Sequence, residues 1–268
     1  MIDRVSYINK LIKFKDKKII KVITGIRRSG KSTLLMQYID YLRTQDINGD
    51  KIIYINLESA KYDNIKNYQD LYNHIAQQIH SRELYYVIID EIQNIDGFEK
   101  TINSLSVDFN IDLYLTGSNA RMLSSELATL LSGRYVEIRM LPLSFGEFIQ
   151  AHDDVSKEDA FHKYMKYGGF PFLVEEDDDD IITTYLEGLY NTIILKDVVK
   201  RNSVKDISLM EKILKMILSS IGSPISSSSI VKALKNEQRK VSNETIDKYL
   251  QMFEAAYIID KTVRYDIK

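Results

Sequence analysis

The chain has no cysteine among its 268 residues. That excludes a disulfide framework and a thiolate metal site, and it fits a reducing, cytoplasmic location. No apolar run approaches the roughly 20 residues that a membrane-spanning helix requires. No membrane partner is therefore expected. The N-terminus, MIDRVSYINKLIKFKDKK, mixes Asp and Lys among its apolar residues and so lacks the apolar centre of a secretory signal. Strong charge of one sign is also missing. The net charge is −2, so whole-chain charge does not announce a nucleic-acid partner. What remains is an ordinary globular composition, 44% hydrophobic and 28% charged. Such a chain can bury a sizeable core as one large domain or two to three small ones.

The stretch GIRRSGKS, Gly25–Ser32, fits G-x-x-x-x-G-K-[ST], the phosphate-binding P-loop. Its flanks agree. KKIIKVIT (Lys17–Thr24) reads as a strand entering the loop. STLLMQYIDYL (Ser32–Leu42) reads as a helix leaving it, with Leu34, Leu35, Tyr38, Ile39 and Leu42 on one face. A strand, a glycine turn and a helix N-terminus aim backbone N–H groups at one point and so make an anion site. Lys31 is expected to reach the β- and γ-phosphates, and the Ser32 hydroxyl to ligate Mg2+.

The second informative stretch is LYYVIIDEIQ, Leu84–Gln93. Its unbroken apolar run is that of a parallel strand buried on both faces. It ends in Asp90-Glu91, and two carboxylates at a core boundary are costly without a task. The C-terminal end of a central strand is where such sheets bind ligands. About 60 residues after a P-loop, the pattern reads as a Walker B segment. Asp90 would hold Mg2+, mostly through water, and Glu91 would orient and polarise the attacking water.

IDLYLTGSNA (Ile111–Ala120) is a further buried strand with a polar tip. Thr116, Ser118 and Asn119 are candidates for a sensor of the γ-phosphate or lytic water, with Ser118 and Asn119 preferred. Either of these two would equally cap a helix at 121–131. Arg134 follows that helix and precedes a last strand, Tyr135–Met140. It reads either as an arginine finger for a neighbouring subunit or as a cation favoured at a helix C-terminus.

Around these motifs, Val5–Phe14 reads as an amphipathic helix whose Arg4 and Tyr7 could border a base. A strand is expected at Lys51–Ser59 and a helix at Tyr68–His80, where His74 and His80 read as surface or packing residues. From Ser144 the pattern turns helical, interrupted by Gly168-Gly169-Phe170-Pro171 and by the acidic run Glu175–Asp180. That run reads as a solvated loop before a helix N-terminus. The last segment reads as a winged helix-turn-helix, with helices at Asp206–Ser220, SSSSIVKALK and VSNETIDKYLQMFEAA and a wing strand in AYIIDKTVRYDIK. Residues 201–268 hold twelve basic and eight acidic residues, a net +4. That favours phosphate contact mildly. Glu244, Asp247 and Glu254 on the would-be recognition helix weaken a DNA reading.

The strings GIRRSGKSTLL, IIDEIQNIDGFEK, LTGSNARMLSSELATLLSGRY, LPLSFGEF and YGGFP, continued by VSNETIDKYLQMFEAAYIID, resemble a family of prokaryotic predicted ATPases of the AAA+ superfamily. The resemblance implies ATP at Gly25, Ile26, Arg27, Arg28, Ser29, Gly30, Lys31, Ser32 and Thr33, with Mg2+ at Ser32 and Asp90. It implies catalysis at Glu91, a sensor at Ser118 and Asn119, and a finger at Arg134. Gly169-Phe170-Pro171 looks like the G-x-P turn that places Pro171 on the adenine in related signalling ATPases. Family members usually continue into a nuclease-like C-terminal domain.

The expected architecture is α/β: a five-stranded parallel P-loop sheet of AAA+ type (1–143), a helical lid (144–203) and a C-terminal winged helix (204–268). The expected activity is Mg2+-dependent hydrolysis of ATP to ADP and phosphate. The alternatives are a slow nucleotide switch acting on a protein partner, and a DNA-binding module with DNA-dependent turnover. A homo-oligomer would give the finger its target.

Overall fold

The computed structural model describes residues 2–118, 133–151, 155–237 and 239–262. The chain divides into two compact units, Met1–Ile182 and Thr183–Lys268.

The first unit is built on five parallel strands: β1 (Ile20–Thr24), β2 (Ile52–Asn56), β3 (Tyr85–Asp90), β4 (Ile111–Gly117) and β5 (Tyr135–Arg139). Their order across the sheet is β2-β3-β4-β1-β5, and every pairing is parallel. The register sets Val22 opposite Leu115 and Glu137, and Ile55 opposite Ile89. The expected α/β P-loop sheet is present.

Parallel strands bury both faces, and the two faces sort accordingly. On one, Val22, Ile55, Val87, Ile89 and Leu115 pack with Leu71, Ile75, Ile102 and Leu105. The last four belong to α3 (Tyr68–Ala76) and α4 (Phe98–Asp108). On the other, Ile23, Ile88, Tyr114 and Ile138 meet Leu11, Leu34, Leu35 and Tyr38. These come from α1 (Val5–Phe14) and α2 (Lys31–Thr44). Each fully buried Leu or Ile contributes about 1.5–3 kcal/mol.

β1 begins at Ile20 rather than Lys17, because the sheet gains its neighbours only where Ile20 N–H donates to Arg134 O at 2.8 Å. Beyond β5 come α5 (Phe145–Ile149), α6 (Lys157–Tyr167) and α7 (Asp179–Thr192). Ser144 and Glu147 close a capping box on α5. The acidic run ends inside α7, whose first turn carries Asp179 and Asp180, as the helix dipole favours. Lys163 pairs with Asp177, and Lys166 with Asp179.

In the second unit α7 passes into wider π-type turns over Ile193–Lys200. Three helices follow: α8 (Ile207–Leu218), α9 (Ser227–Asn236) and α10 (Asn243–Ala255). Ser242 caps α10 by accepting from Thr245 N–H. No strand forms over the described residues 256–262, and the rest of the expected wing strand lies outside the described residues. So do Asn119 and the helix expected at 121–131.

Candidate functional site

The P-loop joins the end of β1 to α2. Gly25 has φ +148°, and a Cβ there would lie 2.1 Å from Met140 O. Only glycine lets this turn pass so close to the chain leaving β5. Arg28 adopts φ 63°, a left-handed conformation that side chains rarely take. Gly30 then caps α2, so the first N–H groups of the helix, including those of Ser32 and Thr33, have no intrahelical acceptor. Ser32 and Thr33 are exposed, and Lys31 is buried.

Lys31 Nζ donates to Gly25 O at 3.1 Å and Ile26 O at 3.2 Å, which folds the ammonium over the loop. It lies 3.7 Å from Glu91 Oε1.

Glu91 and Asp90 stand at the end of β3, and the tip of β4 holds both. Thr116 Oγ1 accepts from Glu91 N–H at 2.9 Å and donates to Asp90 Oδ1. Tyr54 OH, from β2, donates to Asp90 Oδ2 at 3.3 Å. Ser118 Oγ lies 2.7 and 2.9 Å from the two carboxylate oxygens of Glu91. Gln93 Nε2 donates to Glu91 Oε2. Glu91 itself has φ 56°, so the chain turns sharply there and brings Gln93 back onto its carboxylate. Burial explains the dense bonding: Asp90 is fully buried, and Glu91 is 7% exposed. A buried carboxylate without donors is costly.

Lys31, Asp90, Glu91 and Ser118, all selected from the sequence, thus form one cluster with the P-loop. Pro171 lies beside it, with its Cγ 3.7 Å from where a Cβ on Gly30 would be. The turn before Pro171 is fixed because a Cβ on Gly169 would fall 2.1 Å from Leu143 O. Arg134 does not join the cluster. It precedes β5, at the end of the parallel sheet where the strands start, away from the P-loop.

Arg4 and Tyr7 are taken up by the protein itself. Arg4 donates to Ser29 O at 3.4 Å and Leu141 O at 2.8 Å, and its Nε meets Glu147 Oε1 at 2.9 Å. Tyr7 OH accepts from Leu141 N–H at 3.2 Å. The pair ties α1 to the loop and to the chain after β5, and the Arg4 donors are spent on these contacts.

Gln93 and Tyr54 were the residues missed. Thr116, a candidate in the sequence behind Ser118 and Asn119, binds both carboxylate residues. Gln93 carried a signal, two positions after a strand-ending Glu. Tyr54 carried none, since a Tyr inside an apolar strand reads as core.

The residues fit a bound phosphate group. Ser29 Oγ is buried without a hydrogen-bond partner inside the loop, and buried polar atoms ordinarily have one. A metal is a different matter. No cluster of three or more His, Cys, Asp or Glu that could hold one exists among the described residues. Ser32 and Asp90 would therefore hold Mg2+ only together with phosphate oxygens and water, as is common for this ion.

Comparison with known proteins agrees with this geometry. Residues 17–149 match a family described as an AAA domain, and residues 158–267 a domain of unknown function. An uncharacterised protein of Haemophilus influenzae is 44% identical over the whole chain, which covers 68% of that protein. An uncharacterised protein of Methanocaldococcus jannaschii is 31% identical over 90% of this chain and 55% of its own length. Among solved structures, a Walker-type ATPase of Pyrococcus abyssi aligns with a TM-score of 0.64 at 17% identity, over 96% of this chain and 90% of its own. That likeness shows the fold. No helix among the described residues is long and apolar enough to cross a membrane. The chain belongs to the family of prokaryotic AAA-domain proteins of the P-loop NTPase class.

Proposed function

We propose that the chain binds ATP with Mg2+ and hydrolyses it to ADP and phosphate. One observation carries this reading: the Glu91 carboxylate lies between Ser118 Oγ and Lys31 Nζ, beside the P-loop. Lys31 and the open N–H groups of α2 would neutralise the β- and γ-phosphates. Bound Mg2+, held from Ser32 and Asp90, would supply further charge neutralisation. Glu91 would take the proton of the attacking water, and Ser118 would hold its carboxylate in line. Asn119 remains a proposed second sensor, and Pro171 a proposed contact to adenine. In this reading the helical stretch from 144 serves as a lid, and the protein works where ATP is plentiful, in the cytoplasm.

The test is steady-state turnover of the purified chain against Glu91→Gln. The variant should lose at least about 100-fold in kcat, the scale of general-base catalysis, while still binding ATP. Equal turnover in the two proteins would remove Glu91 from this role.

A second reading is a slow nucleotide switch acting through a protein partner. It is favoured by the capture of Glu91 by Ser118 and Gln93, which leaves little of the carboxylate free to take a proton from water. It predicts ADP that co-purifies with the protein and turnover far below the roughly 1–100 per second typical of kinases. An arginine finger at Arg134 needs a neighbouring subunit. Its signature is turnover per chain that rises with protein concentration.

A further inference from the structure

The end of the sheet where the strands start, away from the P-loop, carries a second feature. A cleft of about 900 Å3 opens there around the first residues of β1 and β4, the residue before β5 and the chain leaving α3 and α4. Lys17, Lys18, His80, Arg82 and Arg134 line it, with one acid, Asp108.

Three of these cations are free for a ligand. Lys18, Arg82 and Arg134 are exposed, and their side chains make no ion pair or hydrogen bond among the described residues. The single acid is occupied, since Tyr72 OH donates to Asp108 Oδ2 at 2.7 Å. An apolar surface accompanies the cations: Val107 is 72% exposed, with Phe109 behind it.

We propose that this cleft binds the phosphodiester backbone of a nucleic-acid strand. The chemistry of the lining favours phosphate over an acidic peptide. A phosphodiester backbone offers acceptors only, which suits charged groups that are nearly all donors. A peptide would bring its own N–H donors into a cleft with a single carboxylate to receive them. A sugar or base face can rest on Val107, as bases rest on apolar and aromatic platforms in strand-binding proteins.

The second unit, at net +4, is the rival site: Lys232 and Lys235 on α9 are exposed without an ion pair, although other cations there are taken. There Lys212 pairs with Glu237, Lys248 with Glu244 and Arg201 with Asp197. A phosphate at those positions would have to displace a carboxylate. At the cleft it displaces only water and counterions. The contact also adjoins the nucleotide site mechanically, since β1 runs from the cleft at Ile20 to Thr24 at the P-loop, and β4 from Ile111 to Gly117.

The experiment is fluorescence anisotropy with a labelled oligonucleotide of about 20 nucleotides, as single strand and as duplex, without nucleotide. Three phosphate contacts predict that raising salt from about 50 to about 200 mM weakens binding roughly 20- to 40-fold. The double variant Lys18→Glu/Arg82→Glu should weaken binding at least about ten-fold and flatten that salt dependence. Lys232→Glu/Lys235→Glu on α9 should stay within about two-fold of the parent. Unchanged melting and unchanged basal ATP turnover show that the cleft variant is folded.

Three results would overturn the proposal. One is no binding at low salt. Another is binding lost in the α9 variant and kept in the cleft variant. The third is a cleft variant that alters only the molecular mass in solution, which would assign the cleft to a protein contact. Absent turnover would count against the ATPase reading alone and would leave the anisotropy result standing.

Discussion

At Glu91 three side chains converge on one carboxylate: Ser118, Gln93 and, at 3.7 Å, Lys31. The Ser118 hydroxyl is the one that aligns it. Ser118→Ala should lower kcat about ten-fold or more, with nucleotide affinity within about two-fold, since ground-state binding rests on the loop and Lys31. Single-turnover kinetics beside equilibrium binding check the split, and loss of affinity in step with kcat would refute it. Gly25 makes a separate residue-scale prediction. A Cβ there meets Met140 O at 2.1 Å. Gly25→Ala should cost roughly 2–5 kcal/mol, from overpacking and left-handed strain together, read from the urea midpoint. The motif residues were legible in the sequence because their spacing is local: eight residues for the loop and two adjacent carboxylates. Gln93 and Tyr54 were not, since a strained turn and a strand neighbour decide what they touch.

Among the elements, α1 and the buried strand β3 were readable from period and apolar run, and α1 spans the residues expected. The middle of β1 was not. Lys21 is fully buried in the sheet and pairs with Asp112 on β4, which also accepts from Tyr114 OH at 2.8 Å and Asp16 N–H at 2.8 Å. Burial pulls the Lys21 ammonium's pKa down, against the attraction of Asp112. The two residues lie 91 positions apart, so no local pattern announces the pair, and a lysine in a strand reads as an outward residue. Breaking a buried pair leaves an uncompensated charge. Asp112→Asn and Lys21→Met should each destabilise by roughly 3–5 kcal/mol, and the double variant by clearly less than their sum. Denaturant melts of the four proteins close that cycle. Additive losses would mean that the pair is not coupled.

For the whole molecule, nucleotide binding must appear as stability of the unit that contains the P-loop. ATP with Mg2+ at about 100 times its dissociation constant adds about 2.7 kcal/mol. At 2–4 °C per kcal/mol for a unit of this size, that is a rise of about 5–10 °C in its melting transition. Lys31→Ala should abolish the shift. The fold class was legible at this scale because strand, loop and helix motifs recur in order. The assignment of a cleft to the far end of the sheet was not, because its cations come from three stretches of chain far apart in sequence.

The strand order has a consequence for the order of folding. β1 lies between β4 and β5, the two strands made last. The loop is complete in the chain at Ser32, yet β1 has no neighbour in the sheet until β4 arrives, and β5 ends only at Arg139. During synthesis, more than a hundred residues must emerge before the P-loop strand is paired on both sides. Such long-range pairing is slow, because loop closure precedes the contacts that reward it. A fragment ending at Ser118 should therefore not retain nucleotide, although it contains the loop, both carboxylates and the serine. Nascent chains halted after Arg139 should be the first to do so.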